Sequence, residues 1–337
     1  MGNNYKAWHV DEKQFSSQYS IENKIKFILN YAVLAPSGHN TQPWYFKIKN
    51  NLLEIYIEST RSLPKSDPKM RQLLISLGCL IENLNIASNH FGLNLDISTS
   101  NNINFKEPVF IVNFSEKYPG EPDNENLFRS ITLRHTNRFE YKNISIKKII
   151  LPFISKIQNH FVKIYHVSND IELTSKIMSS QIEIMDSADF RLELSELMLP
   201  NFSNKNFGMI GKSFGVPTIP SIFAKFMIKK LNMSRINKKS EGEIISSTSD
   251  FIVICGINDE NNNWIESGKV FERIWLKATS DGLAISPLAS LIASEKYRFW
   301  LQNRIKTDYR PHVFFRVGYP TKQSCLAPRF KIEDLIK

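Results

Sequence analysis

The sequence predicts an α+β fold assembled from two similar units. A helix, a strand, a long helix and a strand occur in that order in both halves of the chain. Apolar residues switch between helical three- and four-residue spacing and the two-residue spacing of strands at each boundary. A Pro-, Gly-, Asp- and Asn-rich stretch, Lys117 to Asn126, separates the two cycles as a linker. At 337 residues the chain exceeds a typical single domain, so we divide it into residues 1–120 and 121–337.

In the first unit, Ser20 opens a helix to Leu34, with Ile25, Ile28, Leu29, Ala32 and Val33 on one stripe. Pro36 stops it, and a polar loop runs from Ser37 to Gln42. Trp44–Ile48 and Leu52–Ile57 read as strands joined by the turn Lys49-Asn50-Asn51. From about Met70 to His90 the apolar positions are dense enough for a central, buried helix, and Gly92 ends it. Strands follow at Asn94–Ser98 and Val109–Phe114.

The second unit repeats the order with an addition. Helices are expected over Leu127–Leu133 and Ser145–Asn159, a strand over Lys163–Val167, and one long helix over Ile171–Met198. Between Pro200 and Pro220, glycines and prolines break any regular element, and an apolar, basic helix follows to Leu231. We expect a lid-like insertion over about 200–236, since a long loop excursion is usually functional. Strand Asp250–Gly256, helices Gly268–Ser280 and Glu295–Arg304, and strand Val313–Val317 complete the unit. The two units cannot be aligned residue by residue from the sequence.

Composition narrows the function. The formal charge of +10 could attract anionic partners, but it reads as a solvated Lys-rich surface, with no aromatic-and-basic nucleic-acid signature. The three cysteines, Cys79, Cys255 and Cys325, have no metal or disulfide spacing, and the first two lie in apolar runs. No His pair has metal-ligand spacing, so no metal is expected. Gly-x-Gly-x-x-Gly, phosphate-loop and nucleophilic-serine motifs are all missing. With no signal peptide or spanning segment, a cytoplasmic protein is expected. Ile222–Lys239, basic and apolar, could lie on a membrane surface, but a lid helix explains the same pattern and no membrane partner is expected.

Four segments carry chemistry. Pro36-Ser37-Gly38-His39-Asn40-Thr41-Gln42-Pro43-Trp44 lies directly between a helix and a strand. It resembles the flavin-contacting loop of the nitroreductase family, Pro-Ser-x-x-Asn-x-Gln-Pro-Trp, at every fixed position. Pro36 pre-sets the backbone there, Ser37 and Asn40 offer short polar groups to a ring edge, and Trp44 packs beneath. Arg134-His135-Thr136-Asn137-Arg138 ends a helix and resembles the family's phosphate- and ribityl-binding motif, although arginines there could equally cap carbonyls. Arg329, after Gly318-Tyr319-Pro320, matches a tail arginine that returns to the phosphate; the lysine the family places two residues earlier is Ala327 here. Pro287, Ala289 and Ser290 fall in a segment resembling the one whose backbone N–H faces flavin N5.

The loop motif occurs only in the first unit and the arginine motif only in the second. That arrangement resembles the duplicated, single-chain (Acg-type) branch, as does Asp67-Pro68-x-x-Arg71. The resemblance implies a nitroreductase-like pseudo-dimer around one tightly bound FMN. Pro36, Ser37, Gly38, Asn40, Arg134, His135, Thr136, Arg138, Pro287, Ala289, Ser290 and Arg329 would hold it. NAD(P)H would be a transient reductant and a nitroaromatic, quinone or similar small molecule the acceptor. The alternative is an FMN-sequestering protein whose lid keeps the flavin silent. The chain would act as a monomeric pseudo-dimer or as a homodimer of pseudo-dimers.

Overall fold

A computed structural model describes residues 2–116 and 125–337. The expected linker lies outside the described residues except for Glu125 and Asn126, which begin a helix.

In the first unit, α1 (Ile21–Ala32) is capped by Ser20 Oγ, which accepts from Asn23 N–H. Strands β1 (Trp44–Lys49) and β2 (Leu52–Ile57) form a hairpin, α2 (Arg71–His90) crosses behind it, and β3 (Leu93–Thr99) and β4 (Phe110–Glu116) complete the sheet. The order is β1-β2-β4-β3, antiparallel throughout. The second unit starts with α3 (Glu125–Ile131), α4 (Lys147–Ile157) and β5 (Val162–Ser168).

Between β5 and the next strand of its sheet the chain makes an excursion. It holds α5 (Ile171–Asp186), α6 (Ala188–Leu197), the short parallel pair β6 (Met198–Leu199) and β7 (Met209–Ile210), then α7 (Thr218–Lys230), α8 (Met233–Ile236) and α9 (Lys238–Ser246). It leaves and returns at one neck, where Asn169 N–H donates to Ser249 C=O at 2.9 Å. Ser187 caps a second helix, so the single helix expected from Ile171 is two.

The sheet resumes with β8 (Asp250–Gly256), α10 (Asn261–Ser280), β9 (Ala284–Pro287), α11 (Ser290–Ala293), α12 (Glu295–Arg304) and β10 (Arg310–Gly318). Its order is β5-β8-β10-β9, the order of the first sheet strand for strand. The excursion from 169 to 249 therefore stands where the first unit has the turn between β1 and β2.

Helices α2 and α10 pack against each other at the centre. Both span 20 residues, and Gly78 and Gly268 occupy the same place in each. A Cβ on Gly78 would lie 2.1 Å from Ile265 C=O, and one on Gly268 2.1 Å from Ile75 C=O. This reciprocal contact fixes the register between the units that the sequence left open. In that register α1 packs on α2 as α3 packs on α10. The C-terminus then crosses back to the first unit, where Phe46 N–H donates to Leu335 C=O and Lys337 N–H to Phe46 C=O. It covers the open edge of β1.

Candidate functional site

The loop after α1 is folded against its own preferences. His39, Asn40 and Gln42 have φ of 47°, 60° and 50°, a left-handed region that residues with side chains enter at a cost. Ser37 Oγ accepts from Gln42 N–H at 2.9 Å and closes the turn. The Asn40 amide donates to Gly208 C=O and Pro328 C=O, both at 2.9 Å, and its oxygen accepts from Arg329. Gln42 donates to Asn206 C=O and accepts from Phe330 N–H. Trp44 is fully buried under the loop. Two distant segments, the excursion and the tail, thus hold one strained turn.

The arginine segment reaches the same place. Arg134, almost fully buried, donates from Nη2 to Leu34 C=O at 2.7 Å and lies over the Trp275 ring. Its Nε is 3.0 Å from Glu272 Oε1, at an angle too poor for a hydrogen bond, so the contact is one of charge. Burial pushes the Glu272 carboxyl up to about 7, against the pull of Arg134. Arg329 also donates to Leu34 C=O and to Ala35 C=O, and it stacks over Trp8. Burial lowers its pKa to about 9, with Arg134 adding repulsion. The segment is pinned to the second sheet, where Asn137 N–H donates to Ile285 C=O.

These groups border a cavity of about 690 Å³. Pro36, Ser37, Gly38 and Asn40 line one side, Arg134, His135, Thr136, Arg138 and Arg329 another, and Pro287 and Ala289 a third. Ser290 does not line it; its hydroxyl accepts from Ser180 Oγ at 3.0 Å. Ala289 caps α11, at a helix start where N–H groups lack intrahelical acceptors.

Arg138 is the cavity's least committed cation. Among the described residues it meets only the Phe214 ring and Met209 Sδ, and no carboxylate. Burial lowers its pKa to about 10. Arg329 Nε is likewise buried without an acceptor. His39 is held near 4 by burial, so its imidazole is neutral at pH 7.

Other lining residues lie outside the four segments, although Ile75 and Ser76 follow Asp67-Pro68-x-x-Arg71 and share its resemblance. Trp8, from the polar N-terminal segment, donates from its indole to Ala327 C=O and underlies Arg329. Ile75, Ser76 and Cys79 of α2 form the floor. The excursion supplies the roof with Met185, Leu194, Met198, Met209, Met227 and Ile228. A methionine or leucine at helical spacing looks the same in sequence whether it faces a core or a cavity, so no signal marked them.

Among the described residues, the pseudo-symmetry shows how the two units differ at the site. Ala35 follows the end of α1 by three residues, as Arg134 follows the end of α3. Glu82 of α2 stands where Glu272 stands in α10, but it pairs with Arg273 at 2.6 Å. The first unit has the acid and lacks the arginine.

No family model matches the chain. It is 20% identical over 342 residues to the probable NAD(P)H nitroreductase PigM of Serratia sp., with 92% of each chain covered. It is 23% identical over 298 residues to the uncharacterized protein Rv3127 of Mycobacterium tuberculosis, covering 85% of this chain and 84% of that one. The putative NAD(P)H nitroreductase acg of the same organism is 21% identical over 304 residues, covering 87% and 88%. A crystal structure of a nitroreductase with bound FMN from Desulfitobacterium hafniense aligns at 13% identity and a TM-score of 0.40, covering 63% of this chain and 97% of that one.

Proposed function

We propose that this nitroreductase-like chain is an FMN-dependent oxidoreductase that takes hydride from NAD(P)H and delivers it to an electron-poor acceptor such as a nitroaromatic or a quinone. The carrying observation is the meeting of Arg134 and Arg329 on the carbonyl of Leu34, at the entrance of the Pro36–Asn40 loop.

The donor set suits the cofactor. An arginine with no acid and a buried guanidinium N–H with no acceptor face an otherwise largely apolar cavity. Such a site favours a ligand with an anionic end and a flat apolar body. Arg138, Arg329 and Thr136 would hold the phosphate end, with Arg134 behind them. Ser37, Gly38, His135, Pro36 and Pro287 would border the ring and chain, and the backbone at Ala289 would face the ring's reactive edge. Asn40 has both amide hydrogens and its oxygen engaged, so we assign it to holding the loop. Bound there, FMN supplies the hydride-accepting and hydride-donating centre. The protein's part is to orient it, to keep His39 neutral beside it, and to exclude water with the methionine-rich roof.

We take residues 1–120 and 121–337 as the two halves of one composite site, with the excursion as its roof, in a cytoplasmic chain acting alone or as a dimer of such chains. The purified protein should be yellow and release FMN on denaturation, and it should oxidise NAD(P)H when quinones or nitroaromatics are added. A colourless protein that takes up no added FMN would overturn the reading. Flavin reduced by dithionite but not by NAD(P)H would instead assign the site to FMN sequestration.

A further inference from the structure

Helix α7 has two apolar faces, and the cavity uses only one. Ala224, Met227 and Ile228 line the cavity from the inner face. On the outer face Ile219, Ile222, Phe223 and Phe226 are 74%, 49%, 59% and 61% exposed. Their spacing of three and four residues makes one stripe, which Lys229 and Lys230 continue at the last turn. Large apolar side chains so exposed and contiguous mark an interaction surface.

Charge identifies the partner. From Pro200 to Ser240 the chain carries seven Lys and one Arg with no Asp or Glu, a local +8 against +10 for the whole molecule. The positive charge is dense over this stretch, while the excursion's acids all lie in the flanking segments 169–199 and 241–249. Lys225 and Arg235 pair with Glu196 and Asp186. Lys205, Lys212, Lys229, Lys230, Lys238 and Lys239 are exposed and have no carboxylate partner among the described residues. A symmetric contact between two copies would set these lysines against each other. A bilayer with anionic headgroups offers both what the stripe needs and what the lysines need.

We propose that the excursion docks the protein on an anionic membrane surface through the outer edge of α7. The contact is peripheral: no helix among the described residues is long and apolar enough to span a bilayer. The cavity roof would then lie against the lipid, since Pro220 is exposed and also borders the cavity. The docking surface stands on its own geometry, whatever the cavity binds.

Co-sedimentation of the full chain with lipid vesicles tests the docking. Binding is expected to vesicles of phosphatidylcholine mixed with phosphatidylglycerol, to weaken with added salt, and to vanish with phosphatidylcholine alone. The double variant Phe223→Ser, Phe226→Ser should lose about tenfold or more per ring. Lys229→Glu with Lys230→Glu should lose roughly fivefold or more per site. Unchanged thermal unfolding of both variants would show that folding is intact. The idea is overturned by absence of binding to the anionic vesicles at low salt, by equal binding to neutral ones, or by binding that survives both variants. It is also overturned if the wild-type chain is a dimer in solution that Phe223→Ser, Phe226→Ser disperses.

Discussion

Gly78 and Gly268 meet back to back where the two long helices cross, each leaving no room for a Cβ beside the other helix's backbone. Backbone cannot swing aside as a side-chain tip can. Gly78→Ala or Gly268→Ala should force the helices apart and cost about 2–4 kcal/mol in urea unfolding. Gly242→Ala is the control. A Cβ there meets nothing within 4 Å inside α9, so it should stabilise by about 0.5–1 kcal/mol. Equal effects at all three positions would refute the crossing.

Arg138 bears on the cofactor. It makes no ion pair among the described residues, so Arg138→Ala should leave the unfolding of the flavin-free protein nearly unchanged. Its loss should weaken FMN roughly 10- to 100-fold, the worth of charge-assisted hydrogen bonds to a phosphate. Riboflavin, which lacks the phosphate, should bind the variant and the parent alike in a fluorescence titration. A matching loss for both flavins would place Arg138 away from the phosphate.

Stability should fall with pH through Glu241. Burial holds this carboxyl, which borders the cavity, up to about 7 from an ordinary 4.5. The folded chain keeps a proton there that the unfolded chain has lost, so the group's contribution drops as pH rises from about 4.5 to 7. Glu241→Gln should therefore match the parent at pH 4.5 and exceed it by roughly 1–2 kcal/mol at pH 8, allowing for partial solvent screening. His39, depressed to about 4, works in the opposite direction between about 4 and 6.5, so the comparison must be made at each pH. A constant difference between the two proteins across that range would sink the assignment.

The order of elements was legible because each has its own periodicity. Ser20, Gly92 and the turn at Asn50 punctuate it where the structure does. The start of α10 was not: Asn261-Asn262-Asn263 carries no apolar period, and the first turn buries Asn263 and Trp264. The strand pairing of the second sheet was hidden for another reason. A turn of a few residues in one unit is a chain segment of many helices in the other, and no local rule relates β5 to β8 across it. At the cavity, the loop and the arginines stood out because a polar motif between apolar elements needs a reason. The role of Asn40 changed on folding, since its partners Gly208 and Pro328 are far away in sequence.

Ala35 and Glu82 show what joining two copies in one chain permits. In an assembly of identical subunits every substitution is made twice, so neither copy can shed a duty the other retains. Here Glu82 pairs with Arg273 while Glu272 faces Arg134. Two like units in one chain can thus differ at matching positions, one lending the loop and the other the arginines.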